Sequence, residues 1–280
     1  MARLTGELPR ASEGLRRLAA WLAARRLDVA LAILALALAY LMKRHYSTAS
    51  ADELRFVLAP TAALTGALLG RGFVWVPDAG YVSEELSILV SPACAGVNFL
   101  VVAFVVLAAG YGARLASTGT KLAWLAAAAA GAYLTTLAVN AARIALSVLG
   151  AHLAAQSFGL SFQAVHRALG VVVYLGGLFT LVAAAEAGFR GTRSRPARSL
   201  ALALVCYLGM TLAVPLVRGA GSAPEYWEHA RAVVPLSLGA LASALGMLFA
   251  LRHPARWVRG RAPRQKQRFT GVSPLAPALD

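Results

Sequence analysis

Six apolar runs constrain this chain before anything else: about 27–43, 94–111, 122–142, 168–188, 199–217 and 233–251. Each is near the length a helix needs to cross roughly 30 Å of hydrocarbon. Composition agrees, since 59% of the 280 residues are hydrophobic and only 14% are charged. A mean hydropathy of +0.66 lies well outside the soluble globular range. The expected class is an all-α polytopic membrane protein with about six transmembrane helices.

The formal charge of +15 invites a nucleic-acid reading. The basic residues instead cluster between the apolar runs, as membrane topology demands, and no stacking or groove-reading pattern accompanies them. Nucleic acid is therefore not an expected partner. Two cysteines cannot make a disulfide framework. The first apolar run carries no small-residue cleavage site and is read as a retained helix.

Orientation follows from where the cations lie. Segment 1–26 holds Arg3, Arg10, Arg16, Arg17, Arg25 and Arg26; turn 112–121 holds Arg114 and Lys121; loop 189–198 holds Arg190, Arg193, Arg195 and Arg198. With the tail from Arg252 to Arg268, these account for 19 of the 27 basic residues. Placing all of them on the cytoplasmic side puts both termini there and requires an even number of spans between 1–26 and 112–121. The runs at 27–43 and 94–111 already make two. Segment 54–70, which opens with Asp52, Glu53 and Arg55 and contains Pro60, is accordingly expected not to span, but to lie as an interfacial or re-entrant amphipathic helix on the outer face. The outer connections become 44–93, 143–167 and 218–232. The expected organisation is a basic cytoplasmic N-terminus over 1–26, an integral membrane domain over 27–251, and a basic, mobile cytoplasmic tail over 252–280.

Between the second and third segments, "RGFVWVPDAGYVSEELSILVSPACAG" (71–96) breaks the pattern. Phe73, Val74, Trp75 and Val76, a Pro-Asp-Ala-Gly turn, then Tyr81 and Val82 and later Ile88, Leu89 and Val90 predict a small outer-face hairpin that delivers the chain to Cys94. Pro92 and Gly96 flank that cysteine, so the backbone turns tightly into a helix beginning at Val97. A thiol there feels the positive end of the helix dipole, which favours thiolate. Taken singly, an inert packing cysteine is the commoner case.

Arg143 stands in the apolar stretch "LAVNAARIALSVL", where a charge costs roughly 2.5–3.5 kcal/mol near a membrane centre and is a functional candidate by default. Snorkelling to the outer headgroups is its plainer role. Asn140, Arg143 and Ser147 recur at helical spacing and make one polar stripe. His166 opens the next helix with Gly170 and Tyr174 on the same face, either as a proton shuttle or as a solvated interfacial residue. The glycines at 170, 176 and 177 read as packing sites. No metal reading competes, because the histidines at 45, 152, 166 and 229 lack ligand spacing and there is no HExxH or CxxC. Cys206 reads as a buried small side chain, Glu186 as a polar contact for the neighbouring arginines, and "PEYWEHAR" (224–231) as an aromatic belt.

Each signal is weak by itself, yet the topology puts thiol, guanidinium and imidazole at one depth on one face. A division of labour follows: Cys94 as nucleophile, His166 as base and then acid, Arg143 stabilising thiolate or oxyanion. Arginine cannot be the base, since it keeps its proton.

These residues resemble those of the exosortase/archaeosortase family of membrane transpeptidases. The likeness rests on "ACAGVNFL" with Cys94, Gly96 and Asn98, "NAARIALSV" with Asn140 and Arg143, and "VHRALG" with His166, over roughly 50–190. Alanine stands after the cysteine where many members have serine, and "CAGVNFL" is similar to the exosortase K subgroup. The resemblance implies catalytic Cys94, Arg143 and His166, with Asn140, Gly96 and Asn98 in support. It implies a cysteine peptidase/transpeptidase in the inner or plasma membrane with its site at the extracytoplasmic face and no cofactor. Its partners would be exported proteins ending in a short motif, a helix and a basic tail, a surface glycan or lipid acceptor, and membrane lipids. Two alternatives stand beside it: a non-enzymatic transporter or assembly scaffold, and an intramembrane protease that only hydrolyses.

Overall fold

The structure is a computed structural model that describes residues 25–158, 162–189 and 195–252, together with 13, 14, 16 and 23. The expected mobile tail and most of the basic N-terminus lie outside the described residues. The chain divides into two compact units, Met1–Ala242 and Ser243–Asp280, and the described part of the second is the last stretch of one helix.

The fold is all-α and membrane-type. Its helices are α1 (Arg26–Thr48), α2 (Arg55–Leu69), α3 (Val97–Tyr111), α4 (Thr118–Phe158), α5 (Phe162–Gly188), α6 (Pro196–Leu208) and α7 (Pro224–Arg252). Among the described residues, five helical segments are long and apolar enough to cross a membrane: Pro92–Arg114, Thr118–Gly150, Val165–Gly188, Pro196–Val217 and Pro224–Ala250. The sixth expected run is α1, a helix of 23 residues whose apolar stretch is pinched between Asp28 at one end and Lys43 and Arg44 at the other. Its outward side chains, Ile33, Leu36 and Leu41 among them, remain exposed hydrocarbon suited to lipid.

Helix α3 is the axis of the bundle. Its residues Phe99 to Phe104, Val106, Leu107 and Tyr111 are all buried, and it touches α1, α4, α5 and α6. Close approach of α4 and α5 depends on Gly177, where a β-carbon would stand 2.4 Å from Val139 Cγ2. Helix α6 continues through a π turn at Gly209–Ala213 into Val214–Val217. Pro215 explains the turn, since it has no N–H for the carbonyl four residues back and its ring crowds that carbonyl. The Tyr226 hydroxyl donates to Leu212 O at 3.1 Å and so ties the start of α7 to the same turn.

Segment 54–70 is a short helix, α2, of 15 residues, roughly 22 Å by helical rise and short of a full span. A reciprocal capping box leads into it. The Ser50 N–H donates to Glu53 Oε2 at 2.7 Å, and the Glu53 N–H donates to Ser50 Oγ at 3.3 Å. The Ser50 backbone N–H, and then its hydroxyl, hold the Glu53 carboxyl below the ordinary carboxylate range. Two sequence expectations need correction here. The expected hairpin is a three-stranded antiparallel meander, β1 (Val74–Val76), β2 (Gly80–Ser83) and β3 (Ile88–Val90); Tyr81 pairs with Trp75 on one side and Val90 on the other, so Ile88–Val90 form a strand of their own rather than part of a two-stranded hairpin. The connection expected over 143–167 is largely helix, because α4 runs on from Arg143 to Phe158. Alanine and leucine keep that stretch helical past the point where the bilayer length alone would end it.

At the bundle end opposite the meander, polar side chains bind the helices together. Asp28 of α1 pairs with Lys121 of α4. Arg114 Nη2 donates to Glu186 Oε1 at 2.8 Å and to Ser199 Oγ at 3.1 Å, and the Ser199 hydroxyl donates to Glu186 at 2.6 Å. The guanidinium carbon sits 4.4 Å from the centre of the Tyr111 ring, a cation–π contact. Breaking such a buried pair from one side strands the other charge. Arg114→Met is therefore expected to cost about 3–5 kcal/mol of stability, and Arg114→Met with Glu186→Met to recover part of it, both read by thermal unfolding in detergent.

Candidate active site

Residues of the meander end converge on the start of α3. The chain leaves β3 through a single 3₁₀ turn, Pro92–Cys94, whose Pro92 fits the first helical position. Gly96 then reverses direction with φ +69°, in the left-handed region, as the N-cap of α3. A β-carbon there would lie 3.1 Å from Thr136 Cγ2 and 3.3 Å from Asn140 Cγ, so glycine is required both by its dihedral and by the proximity of α4.

The polar stripe of α4 does three different jobs at successive turns. Asn140 is fully buried. Its Nδ2 donates to the Cys94 carbonyl, and its Oδ1 accepts from the Tyr174 hydroxyl at 3.0 Å. One amide thus locks the cysteine turn of α3 to α5. Arg143 lays its guanidinium carbon 5.2 Å from the centre of the Tyr174 ring. Its Nε is buried and has no hydrogen-bond partner. Ser147 Oγ lies 3.0 Å from His166 Nδ1. When Nδ1–H donates to that hydroxyl, Nε2 is left as the basic nitrogen.

Two cavities meet at Arg143. One, of ≈ 320 Å³, is walled by Lys43, Tyr46, Pro92, Gly96, Asn98, Arg143 and Tyr174. The other, of ≈ 230 Å³, is walled by Arg143, His166, Arg167, Tyr207, Thr211 and His229, and shares Asn98 and Tyr174 with the first. Asn98 is held by Lys43, whose Nζ donates to its Oδ1 at 2.7 Å. Of the residues expected at the site, Arg143, His166 and Asn98 share one cavity wall. Cys94 lines neither cavity, although its chain neighbours Pro92, Ala93 and Gly96 border the larger one. The Cys94 thiol leans away from both, 3.8 Å from Leu89 O and against the apolar cluster of Leu54, Val57, Leu58 and Val90. It is partly exposed.

Sequence reasoning missed Lys43, Arg167 and His229, and noted Tyr174 and Ser147 only as same-face residues. Lys43 ends an apolar run in the manner of a snorkelling cation, and Arg167 directly follows His166, so neither carried a separate signal. Cys206 needs correction: it is partly exposed rather than buried, and it lines an apolar groove of ≈ 330 Å³ with Leu36, Val102 and Met210, because the π turn opens a gap beside α1 and α3. No family model, no curated protein and no solved structure matches the chain.

The lock on the cysteine turn has a direct consequence. Gly96→Ala forces a left-handed alanine, at roughly 1–2 kcal/mol, and drives a methyl into the Asn140 amide. In a Cys206→Ser background this variant is expected to unfold at lower temperature and to label faster at Cys94 with a water-soluble maleimide. Unchanged labelling would mean that the amide does not hold the turn.

Proposed function

We propose that this chain is a membrane-embedded cysteine peptidase with transpeptidase capacity, of the kind its resemblance to exosortases and archaeosortases implies. The observation that carries the reading is the Asn140 amide. It holds the Cys94 carbonyl while the same stripe presents Arg143, with an unsatisfied buried Nε, between two cavities.

The roles follow from the chemistry of the side chains. The Cys94 thiolate attacks the scissile carbonyl carbon, forming a C–S bond and an oxyanion. Arg143 donates to that oxyanion through Nε or the terminal nitrogens, in a site where low dielectric strengthens the bond. His166 gives its proton to the departing amine as the C–N bond breaks, leaving a thioester on Cys94 and the free tail of the substrate. An acceptor amine then attacks the thioester; its proton passes to His166, and the C–S bond breaks to regenerate the thiolate. For this sequence the partly exposed thiol must leave its contact with Leu89 O and turn toward the cavity. Asn140, Gly96 and Asn98 act as positioning residues. The substrates in this reading are exported proteins ending in a motif, a helix and a basic tail, met at the extracytoplasmic face, and the acceptor is a surface glycan or lipid.

A second reading has one observation in its favour. The thiol rests on the Leu54–Val90 cluster, as a packing cysteine would in a transporter or scaffold. Comparison of membrane proteomes from Cys94→Ala and wild-type cells separates the two. The peptidase reading expects membrane proteins whose C-terminal tails persist only in the variant, and Arg143→Lys to slow their processing by about a hundredfold, since a point charge does not replace the planar donor fork. An unchanged proteome, with the variant inserted and at normal abundance, would leave Cys94 as packing.

A further inference from the structure

The cavity on the α5 side of Arg143 has an unusual electrostatic make-up. Two guanidinium groups, Arg143 and Arg167, and two imidazoles, His166 and His229, line it, and among the described residues no carboxylate contributes to its wall. Neither Arg143 nor Arg167 forms an ion pair among the described residues. At the opposite end of the bundle Arg114 and Lys121 each face a carboxylate. Here the half-buried Arg143 and the exposed Arg167 share one cavity wall without a counterion, and a bound anion would be attracted by both.

The neutral polar residues Asn98, Tyr207 and Thr211 also contribute to its wall. Thr211 is placed by the π turn that Pro215 imposes on α6, and His229 by the start of α7, which Tyr226 pins to that turn. The volume of ≈ 230 Å³ exceeds the share of several waters at about 30 Å³ each. The buried Nε of Arg143 supplies a donor without an acceptor.

We propose that this cavity is an anion subsite for a phosphate or phosphodiester group, with Arg143 at its floor and with Arg167 and His229 as binding residues. An arginine fork suits phosphate oxygens bidentately, and the imidazoles and hydroxyls complete the remaining lone pairs. In the peptidase reading, on which this last step rests, the subsite holds the acceptor by its phosphate and brings its nucleophile beside His166, which takes the proton as the thioester is opened. Anion binding itself stands apart from that reading, because it needs neither Cys94 nor turnover.

The test uses full-length protein in nanodiscs of zwitterionic lipid, with Cys94→Ala carried in every sample so that chemistry is silent. Binding of inorganic phosphate and of dihexanoyl phosphatidic acid is measured by calorimetry. Saturable binding of either probe, weakened at least tenfold by Arg167→Gln and by His229→Gln with unchanged thermal unfolding, is the expected result. Preference for the short-chain lipid identifies a lipid headgroup as the source, and equal affinity identifies a soluble phosphate. No saturable binding of either probe, or binding that both substitutions leave unchanged, would overturn the proposal. If tailed precursors also fail to accumulate in Cys94→Ala cells while phosphate still binds, only the peptidase reading falls.

Discussion

A single buried amide organises the meander end of this protein. Asn140 sits where water cannot reach, so both halves of its side chain must find partners inside the protein. The donor half takes the Cys94 carbonyl, which the sharp exit from the 3₁₀ turn leaves outside any helical ladder. The acceptor half takes the Tyr174 hydroxyl. Three segments far apart in the chain are thereby fixed relative to one another, and Arg143, one turn further along α4, is aimed across the ring that Tyr174 offers. Replacing the amide with an apolar side chain would strand a carbonyl and a hydroxyl together, a larger penalty than either hydrogen bond contributes when made.

The two ends of the bundle treat charge in opposite ways, and the contrast is physical. At one end cations are matched: Arg114 with Glu186, Lys121 with Asp28, with aromatic rings covering the guanidinium. Helix α3 is held there on several sides, so its start at the other end can carry a strained glycine and a tight turn without loosening the bundle. At the meander end Arg143 is left with an unsatisfied donor between two cavities. Arg114 Nη1 at the matched end is also buried without a partner, so what distinguishes Arg143 is its place on two cavity walls without a carboxylate beside it.

Much of this architecture was legible beforehand because hydropathy dominates every other signal in such a chain. The apolar runs located the long helices, and segment 54–70 forms a helix of 15 residues, shorter than a full span. Periodicity put Asn140, Arg143 and Ser147 on one stripe. What it could not show was that each member reaches a different partner, since Cys94, Tyr174 and His166 are brought to α4 only by packing. The continuation of α4 to Phe158 was hidden because a charge at 143 looks like the end of a span. Ile88, Leu89 and Val90 were legible as extended chain, but not as a separate third strand, because alternation alone does not say which neighbour a strand pairs with. Lys43, Arg167 and His229 are ordinary interfacial cations in sequence, and only the cavities give them a place.

The central claim is that Cys94 carries an acyl group during turnover. Intact-protein mass spectrometry of the protein purified from its own membranes, in wild type and in His166→Ala, tests it most directly. Loss of His166 removes the group that protonates the departing amine, so the account predicts a hydroxylamine-labile mass adduct on Cys94 in wild type that is lost or much scarcer in His166→Ala. Cys94 unmodified in wild type, while tail processing continues in the cells it came from, would contradict the account.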